Sequence, residues 1–302
     1  MPLTARLSPL EYAALAVIIL VWGVNNAAAK VMTEVLTPMM AGALRFGLAA
    51  VVLVPFLRPP FPNWKSLAVL AVCGGPLHFG LIYLSFAMAE DLSPLVVSLQ
   101  LWIPFVALFA WILLGEKLSW PIVAGLVVSF AGVAFMTADP RAFRDWDAIL
   151  VGAAASAAWA MATVVARRTA AVKPVKMQGL IAVVAAPVLL AGSLLFETDP
   201  IGAVQRATPL IWACVAFAAL VSTVFATGLL FWLVQRREAG RVTPYLLSTP
   251  VVSCGIGVAF MGDVLTPQIV LGGLATILGV GLVAVAERWP RKTVAVESLG
   301  EG

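Results

Sequence analysis

Residues 115–136 have the sequence GEKLSWPIVAGLVVSFAGVAFM, and residues 262–283 have the sequence GDVLTPQIVLGGLATILGVGLV. A shift of 147 positions aligns the two stretches and gives seven identities in 22 positions. Apolar segments often match by chance, so the glycines in register carry most of the weight. They are Gly115, Gly125 and Gly132, which align with Gly262, Gly272 and Gly279. This self-similarity predicts that the chain contains an internal repeat.

The repeat extends upstream of these two stretches. Trp22 aligns with Trp159 at a shift of 137, and Gly80-Leu81 aligns with Gly228-Leu229 at a shift of 148. The shift changes while the order of the matched segments is kept, as expected when loops differ in length. The chain is therefore predicted to be a duplicated unit.

Composition indicates that this unit is built from membrane-spanning helices. Of the 302 residues, 62% are hydrophobic and only 11% are charged, and the mean hydropathy is +1.03. Apolar stretches of about 20 residues recur, the length that crosses a bilayer as an α-helix. We predict an all-α polytopic protein with ten spans: 10–31, 38–57, 65–88, 93–114, 119–137, 147–168, 176–196, 209–235, 243–261 and 267–287.

The basic residues predict the orientation. Of the 19 Lys and Arg residues, 14 lie on the side that holds both termini, four lie on the other side, and Arg45 lies inside the second span. Cytoplasmic loops carry the excess of positive charge, so both termini are expected on the cytoplasmic side of the membrane. Five spans per repeat is an odd number, so the two repeats are predicted to cross the bilayer in opposite senses, as in many secondary transporters.

These expectations define the domain organisation. We predict a first repeat over residues 1–137, an external linker over 138–146, a second repeat over 147–289 and a disordered cytoplasmic tail over 290–302. The net charge of +4 gives no reason to expect a nucleic-acid partner. The three cysteines lie singly in apolar spans, so neither a metal site nor a disulfide is predicted.

Polar groups deep in a membrane are costly, so each one is a candidate functional residue. Amide and imidazole groups are expected to bind the charged ends of a solute, and aromatic rings are expected to line an adaptable wall. The predicted substrate-binding residues are Trp22, Asn25, Asn26, His78, Tyr83, Gln100, Trp102, Trp159, Thr163, Phe231 and Ser253. The alternative remains open that the hydroxyls bond their own helix backbone and that His78 and the rings serve packing alone.

Three prolines inside the predicted spans, Pro76, Pro104 and Pro250, are predicted hinges because each removes a backbone hydrogen bond. Every acidic residue falls in a loop, in a tail or at a span end, so no carboxylate is placed to couple transport to protons at mid-membrane. No nucleotide-binding, zinc-protease or nucleophile-elbow motif occurs, and no cofactor is expected.

Several motifs resemble those of a known family. They are Trp22-Gly23-x-Asn25, Arg45-Phe46, Pro104, Leu114-Gly115-Glu116-Lys117-Leu118 and Gly132-Val133. Together they resemble the EamA repeat of the drug/metabolite transporter superfamily, and Leu101-Trp102-x-Pro104 is similar to bacterial aromatic amino acid exporters. The resemblance implies amino acid efflux across the bacterial inner membrane through a central cavity. The second half departs from it, with Asp263-Val264 in place of Glu-Lys and no counterpart of Arg45.

The leading hypothesis is a secondary transporter that exports amino acids and related small zwitterions. One alternative is a phosphate-ester or nucleotide-sugar antiporter, which needs deep cations. Only Arg45 and Lys30 are candidates, and both are expected near the outer face in a structural or snorkelling role. The other alternative is a membrane-embedded enzyme that modifies lipid, but no acid–base pair is found at either interface. The oligomeric state stays open, with a monomer among the alternatives.

Overall fold

A computed structural model of the chain describes residues 8–115, 119–167, 172–234 and 245–286. Over these residues the chain consists of helices and connecting turns, with no β-strand. The α-helices are α1 (Pro9–Thr33), α2 (Pro38–Leu53), α3 (Trp64–Val72), α4 (His78–Met88), α5 (Leu92–Ser98), α6 (Trp102–Leu114), α7 (Trp120–Thr137), α8 (Trp146–Arg167), α9 (Pro174–Phe196), α10 (Pro200–Gln205), α11 (Pro209–Ala216), α12 (Thr227–Val234), α13 (Thr249–Ile256) and α14 (Pro267–Ala286).

Nine helical stretches within the described ranges are long and apolar enough to cross a membrane. They correspond to nine of the ten predicted spans. The remaining prediction, residues 243–261, contains a shorter apolar helical stretch, Thr249–Met261, and its first two residues lie outside the described part of the chain. The predicted tail, 290–302, also lies outside it. The all-helical prediction is confirmed for the described residues.

Local sequence signals explain where many helices begin. Proline occupies the first position of α1, α2, α9, α10, α11 and α14, where its fixed φ suits a helix and its missing N–H costs no hydrogen bond. At α1 the cap is reciprocal: the Glu11 N–H donates to Ser8 Oγ, and the Ser8 N–H donates to the Glu11 carboxylate. This capping box satisfies two backbone donors that the helix itself cannot satisfy.

The aligned glycines Gly115 and Gly262 have the same structural role. Gly115 ends α6 with φ 65°, and Gly262 ends the helical segment after α13 with φ 80°. A left-handed residue at a helix end is easily formed only by glycine, since a Cβ would clash in this conformation. The repeated glycine therefore marks two equivalent helix ends.

The other aligned glycines pack α7 directly against α14. A Cβ on Gly132 would lie 2.6 Å from the Thr276 backbone nitrogen, and one on Gly279 would lie 2.5 Å from the Ser129 nitrogen. Neither position has space for a larger side chain. The helix pair that carries the sequence repeat thus forms one close, small-residue interface, as expected for helices associating in lipid.

The remaining helices also pack in related pairs. α2 packs against α9, α4 and α6 pack against α8, and α1 packs against α13 and the stretch from α11 to α12. Three π-helical segments interrupt the described helices, at Cys73–Leu77, Phe217–Ala226 and Gly257–Met261. The first contains Pro76, and Gly75 beside it is non-helical (φ −109°, ψ −106°). Such segments interrupt the regular backbone pattern and are frequent beside functional sites.

Candidate functional site: a central cavity

A cavity of about 360 Å³ lies between the helices. Residues of α1, α2, α4, α5, α6, α8, α9, α12 and α13 border it, together with residues of the segments after α5 and α11 and of the turn before α13. The structure brings nine of the eleven predicted substrate-binding residues to this one cavity. They are Trp22, Asn25, Asn26, His78, Tyr83, Gln100, Trp102, Trp159 and Thr163.

The two other predicted residues have different positions. Ser253 is buried behind the wall, where its hydroxyl accepts a hydrogen bond from Asn26 Nδ2 at 3.0 Å. Ser253 Oγ also lies 3.2 Å from the Gly23 carbonyl oxygen, so it joins α13 to α1 and fixes the Asn26 side chain. Phe231 belongs to α12, but its side chain lies outside the described residues.

His78 is held in the wall by a backbone contact and two rings. Its Nδ1 lies 2.8 Å from the Ala155 carbonyl oxygen of α8. A carbonyl oxygen only accepts, so Nδ1 carries the proton, and Nε2 of the neutral ring is an acceptor. The imidazole centroid lies 4.6 Å from the Phe79 ring and 5.1 Å from the Trp159 ring. His78 therefore serves the packing between α4 and α8 and also borders the cavity.

Hydroxyl groups in the wall bond mainly to backbone. Thr163 donates to the Trp159 carbonyl at 2.8 Å, and Thr227 donates to the Ser222 carbonyl at 3.1 Å. These bonds agree with the alternative interpretation, in which threonine hydroxyls bond backbone carbonyls of their own helix. Each hydroxyl oxygen can still accept a hydrogen bond from a solute.

Arg45 does not snorkel, which corrects one part of the sequence interpretation. It is only 6% exposed and lines the cavity, and its hydrogen bonds agree with the structural role that was the other part of that expectation. Its Nε donates to Thr223 Oγ1 at 2.9 Å, and its Nη1 donates to Tyr83 Oη at 3.3 Å. Its guanidinium carbon lies 5.0 Å from the Phe79 ring centroid, within cation–π range. The cavity wall therefore contains a fixed positive charge.

Lys30, the other candidate cation, has a different role. Its Nζ donates to the Phe86 carbonyl at 3.2 Å and to the Ala89 carbonyl, so it binds the C-terminal end of α4. A cation at this position is favoured by the helix dipole. Lys30 borders a second cavity of about 400 Å³, together with Glu34 and Glu90.

Two carboxylates hold the connection between α4 and α5. Asp145 accepts from the backbone N–H groups of Glu90 and Asp91 at 2.7 and 3.0 Å. Asp263 accepts from the N–H groups of Leu92 and Ser93 at 3.1 and 2.7 Å, and from the Ser93 hydroxyl. We call Asp145 and Asp263 the acidic clamp. It fixes the start of α5, which leads to the cavity residues Val96, Leu99 and Gln100.

Sequence reasoning also passed over Gln178 and Phe79, which line the cavity. Gln178 is an amide only two residues inside the predicted seventh span, so the depth argument that selected Gln100 did not apply to it. Phe79 has no polar atom and follows His78 directly, so nothing in its type marks it. In the described ranges, no three His, Cys, Asp or Glu side chains lie close enough to hold a metal ion.

Comparison with known proteins identifies the family to which the chain belongs. The EamA-like transporter family model matches residues 10–138 and 146–285. The chain belongs to the EamA-like transporter family. It is a multi-pass membrane protein, and its relatives are named as transporters.

Two curated relatives illustrate the similarity. The chain is 26% identical over 281 residues to "Uncharacterized transporter YvbV" of Bacillus subtilis (strain 168), covering 89% of this chain and 90% of that protein. It is also 26% identical over 293 residues to "Probable amino-acid metabolite efflux pump" of Escherichia coli (strain K12), covering 93% and 96%.

A solved crystal structure has the same fold. It superposes with a TM-score of 0.63 at 19% sequence identity and covers 92% of this chain and 97% of its own. At this identity the likeness concerns the fold alone.

Proposed function

We propose that the chain exports amino acids and related small metabolites by alternating access through the central cavity. The observation that carries this proposal is the composition of the cavity wall. The wall combines neutral polar groups such as Asn25, Asn26 and Gln100 with the rings of Trp22, Trp102 and Trp159. This lining suits small amphipathic zwitterions. The relative named as a probable amino-acid metabolite efflux pump supports the same substrate class.

The proposed architecture is ten spans in two inverted repeats, with both termini on the cytoplasmic side of a bacterial inner membrane. The two separate family matches, 10–138 and 146–285, support a duplicated unit. The paired helix ends at Gly115 and Gly262 and the contact of α7 with α14 support it as well. The cavity lies between residues from both matches, which is where inverted-repeat transporters bind their solutes.

A second candidate, transport of phosphate esters, is favoured by one observation. Arg45, one of the two candidate cations named from the sequence, supplies a buried cation to the cavity. Phosphate recognition generally gathers several cationic or N–H donors. Among the described cavity-lining residues Arg45 is the one Lys or Arg, so amino acids remain the better match.

Flux through reconstituted liposomes tests the proposal. Purified protein is expected to exchange radiolabelled amino acids, with competition by unlabelled amino acids and not by sugar phosphates. Asn26→Leu should abolish this flux, because it removes both the amide and its hydrogen bond to Ser253. Gln268→Leu is the matched control, since that exposed amide bonds the Phe135 carbonyl away from the cavity.

The two variants separate a site defect from a folding defect. Both should elute as folded protein, and only Asn26→Leu should lose transport. Equal flux in wild type and Asn26→Leu would contradict the substrate-binding role of Asn26 and count against the cavity as the solute path. Competition by sugar phosphates would favour the second candidate.

A further inference from the structure

Arg45 is a buried cation with no anionic partner in the described part of the chain. It is 6% exposed, and neither described ion pair, Arg144 with Glu90 or Arg206 with Asp199, involves it. A charge removed from water without a counter-charge is strongly unfavourable. The described residues that line the cavity include no Asp or Glu that could supply one. The cavity is therefore electrostatically suited to an anionic group.

The guanidinium group retains unused donors. Arginine has five N–H bonds, and the described contacts use two of them, from Nε to Thr223 and from Nη1 to Tyr83. The other three have no hydrogen-bond partner among the described residues. Two parallel N–H bonds from one guanidinium match the two oxygens of a carboxylate, which makes such pairs strong and directional.

The surrounding residues hold this donor group in place. Thr223 donates its own proton to the Ala218 carbonyl at 2.8 Å, so its oxygen is free to accept from Nε. The Phe79 and Phe46 rings lie 5.0 and 5.6 Å from the guanidinium carbon. A side chain fixed before binding loses little conformational entropy when it takes a ligand.

On other helices the cavity wall carries hydrogen-bond acceptors instead of a positive charge. Asn25 Oδ1 on α1 and Thr249 Oγ1 on α13 are buried and have no hydrogen-bond partner within the described ranges, and both residues border the cavity. Buried polar atoms are normally satisfied, so two orphan atoms at one cavity indicate that something else bonds them. An ammonium group is a donor that Asn25 Oδ1 can accept.

We propose that Arg45 is the carboxylate-binding residue of this cavity, and that Asn25 and Thr249 receive the ammonium group of the same solute. The solutes are then small aminocarboxylates, with the organic side chain against the rings of the wall. This assignment rests on the proposed transport function and adds the group that each solute must carry. One arginine neutralises the single charge of a carboxylate, whereas a phosphate ester brings up to two.

Three probes that share a phenyl group test the assignment by equilibrium binding to purified protein. They are L-phenylalanine, 3-phenylpropanoate, which lacks the ammonium group, and L-phenylalaninamide, which lacks the carboxylate. Wild type should bind the two carboxylates at least about tenfold more tightly than the amide, because a charge-assisted pair is lost with the amide. Arg45→Gln should weaken both carboxylates about tenfold or more and leave the amide unchanged.

Controls separate the role of Arg45 from loss of charge or fold. Arg206→Gln removes an exposed arginine that pairs with Asp199, and it should preserve the wild-type ranking. If Arg45→Gln does not fold, Arg45→Lys keeps the charge and should retain the carboxylate preference with weaker binding. The wild-type ranking of the three probes needs no variant at all.

Several outcomes overturn the assignment. They are equal wild-type binding of 3-phenylpropanoate and the amide, an unchanged preference in Arg45→Gln, no measurable binding of either carboxylate, and tighter binding of inorganic phosphate than of 3-phenylpropanoate. Liposome flux separates this result from the proposed function. Binding with carboxylate preference but no flux refutes transport alone, whereas equal flux of L-phenylalanine and its amide refutes the role of Arg45 alone.

Discussion

At the residue scale, single polar atoms could be selected from the sequence, but their partners could not. Asn26 was predicted because an amide deep in a membrane is costly, yet its bond to Ser253 joins residues 227 positions apart. Arg45 was assigned to the outer face by its place in the second span. Its contacts with Thr223 and Tyr83 depend on how α2, α4 and the segment after α11 meet, which no local pattern contains.

Outside the spans, Asp139 gives a residue-scale prediction of pH dependence. Hydrogen bonds from Thr266 Oγ1, at 2.6 Å, and from the Arg141 N–H hold the pKa of Asp139 below its ordinary value of 3.8. Because the folded-state pKa is the lower one, ionised Asp139 stabilises the fold fully above pH 3.8. That contribution is lost as the pH falls through the folded-state pKa.

Thr266→Val should therefore lower the thermal unfolding temperature most at neutral pH. The gap in unfolding temperature between the variant and wild type should narrow below pH 3.8. The gap should not close fully, because Thr266 Oγ1 also accepts from the Ile269 N–H. Thr208→Val is the control, since the Thr208 side chain does not cap α11. Thermal denaturation over a pH series measures both variants, and a gap independent of pH would contradict the account.

At the element scale, helix positions followed from sequence where local chemistry decides them. Apolar runs predicted the spans, and the repeated glycines at 115 and 262 correspond to helix ends with positive φ. The irregular segments were not predicted in the same detail. Pro76 was expected to bend the third span, but the π-helical segment Phe217–Ala226 contains no proline, and its form depends on the helices packed around it.

The acidic clamp gives an element-scale prediction. Asp263 is 5% exposed and accepts three hydrogen bonds at the start of α5. Asp263→Asn removes the charge and one of the acceptor oxygens, so it should destabilise the protein by roughly 1–2 kcal/mol. Asp199→Asn is the matched control, because that carboxylate caps α10 on the exposed surface and should cost less. Chemical denaturation compares the two, and an equal effect would show that the clamp contributes no more than a surface cap.

At the scale of the whole molecule, the repeat was the most informative feature of the sequence. The paired packing of α7 with α14 and of α2 with α9 is what a twofold relation between two halves would produce. The size of the cavity and the order of residues around it could not be predicted, because they depend on the crossing of many helices at once. Family membership adds a transport role, and the unpaired charge on Arg45 adds a chemical requirement for the solute.

The central claim is that two halves, threaded through the bilayer in opposite senses, enclose the solute path. Cysteine labelling tests it most directly, with Cys73, Cys214 and Cys254 first replaced by alanine. Pro62→Cys and Thr198→Cys place single thiols at exposed, corresponding positions after α2 and α9.

A membrane-impermeant maleimide applied to intact cells should label Thr198→Cys alone, and Pro62→Cys should react only after the membrane is opened. The reverse pattern would keep the inverted repeat and exchange its two faces. Labelling of both positions from the same side would contradict the account.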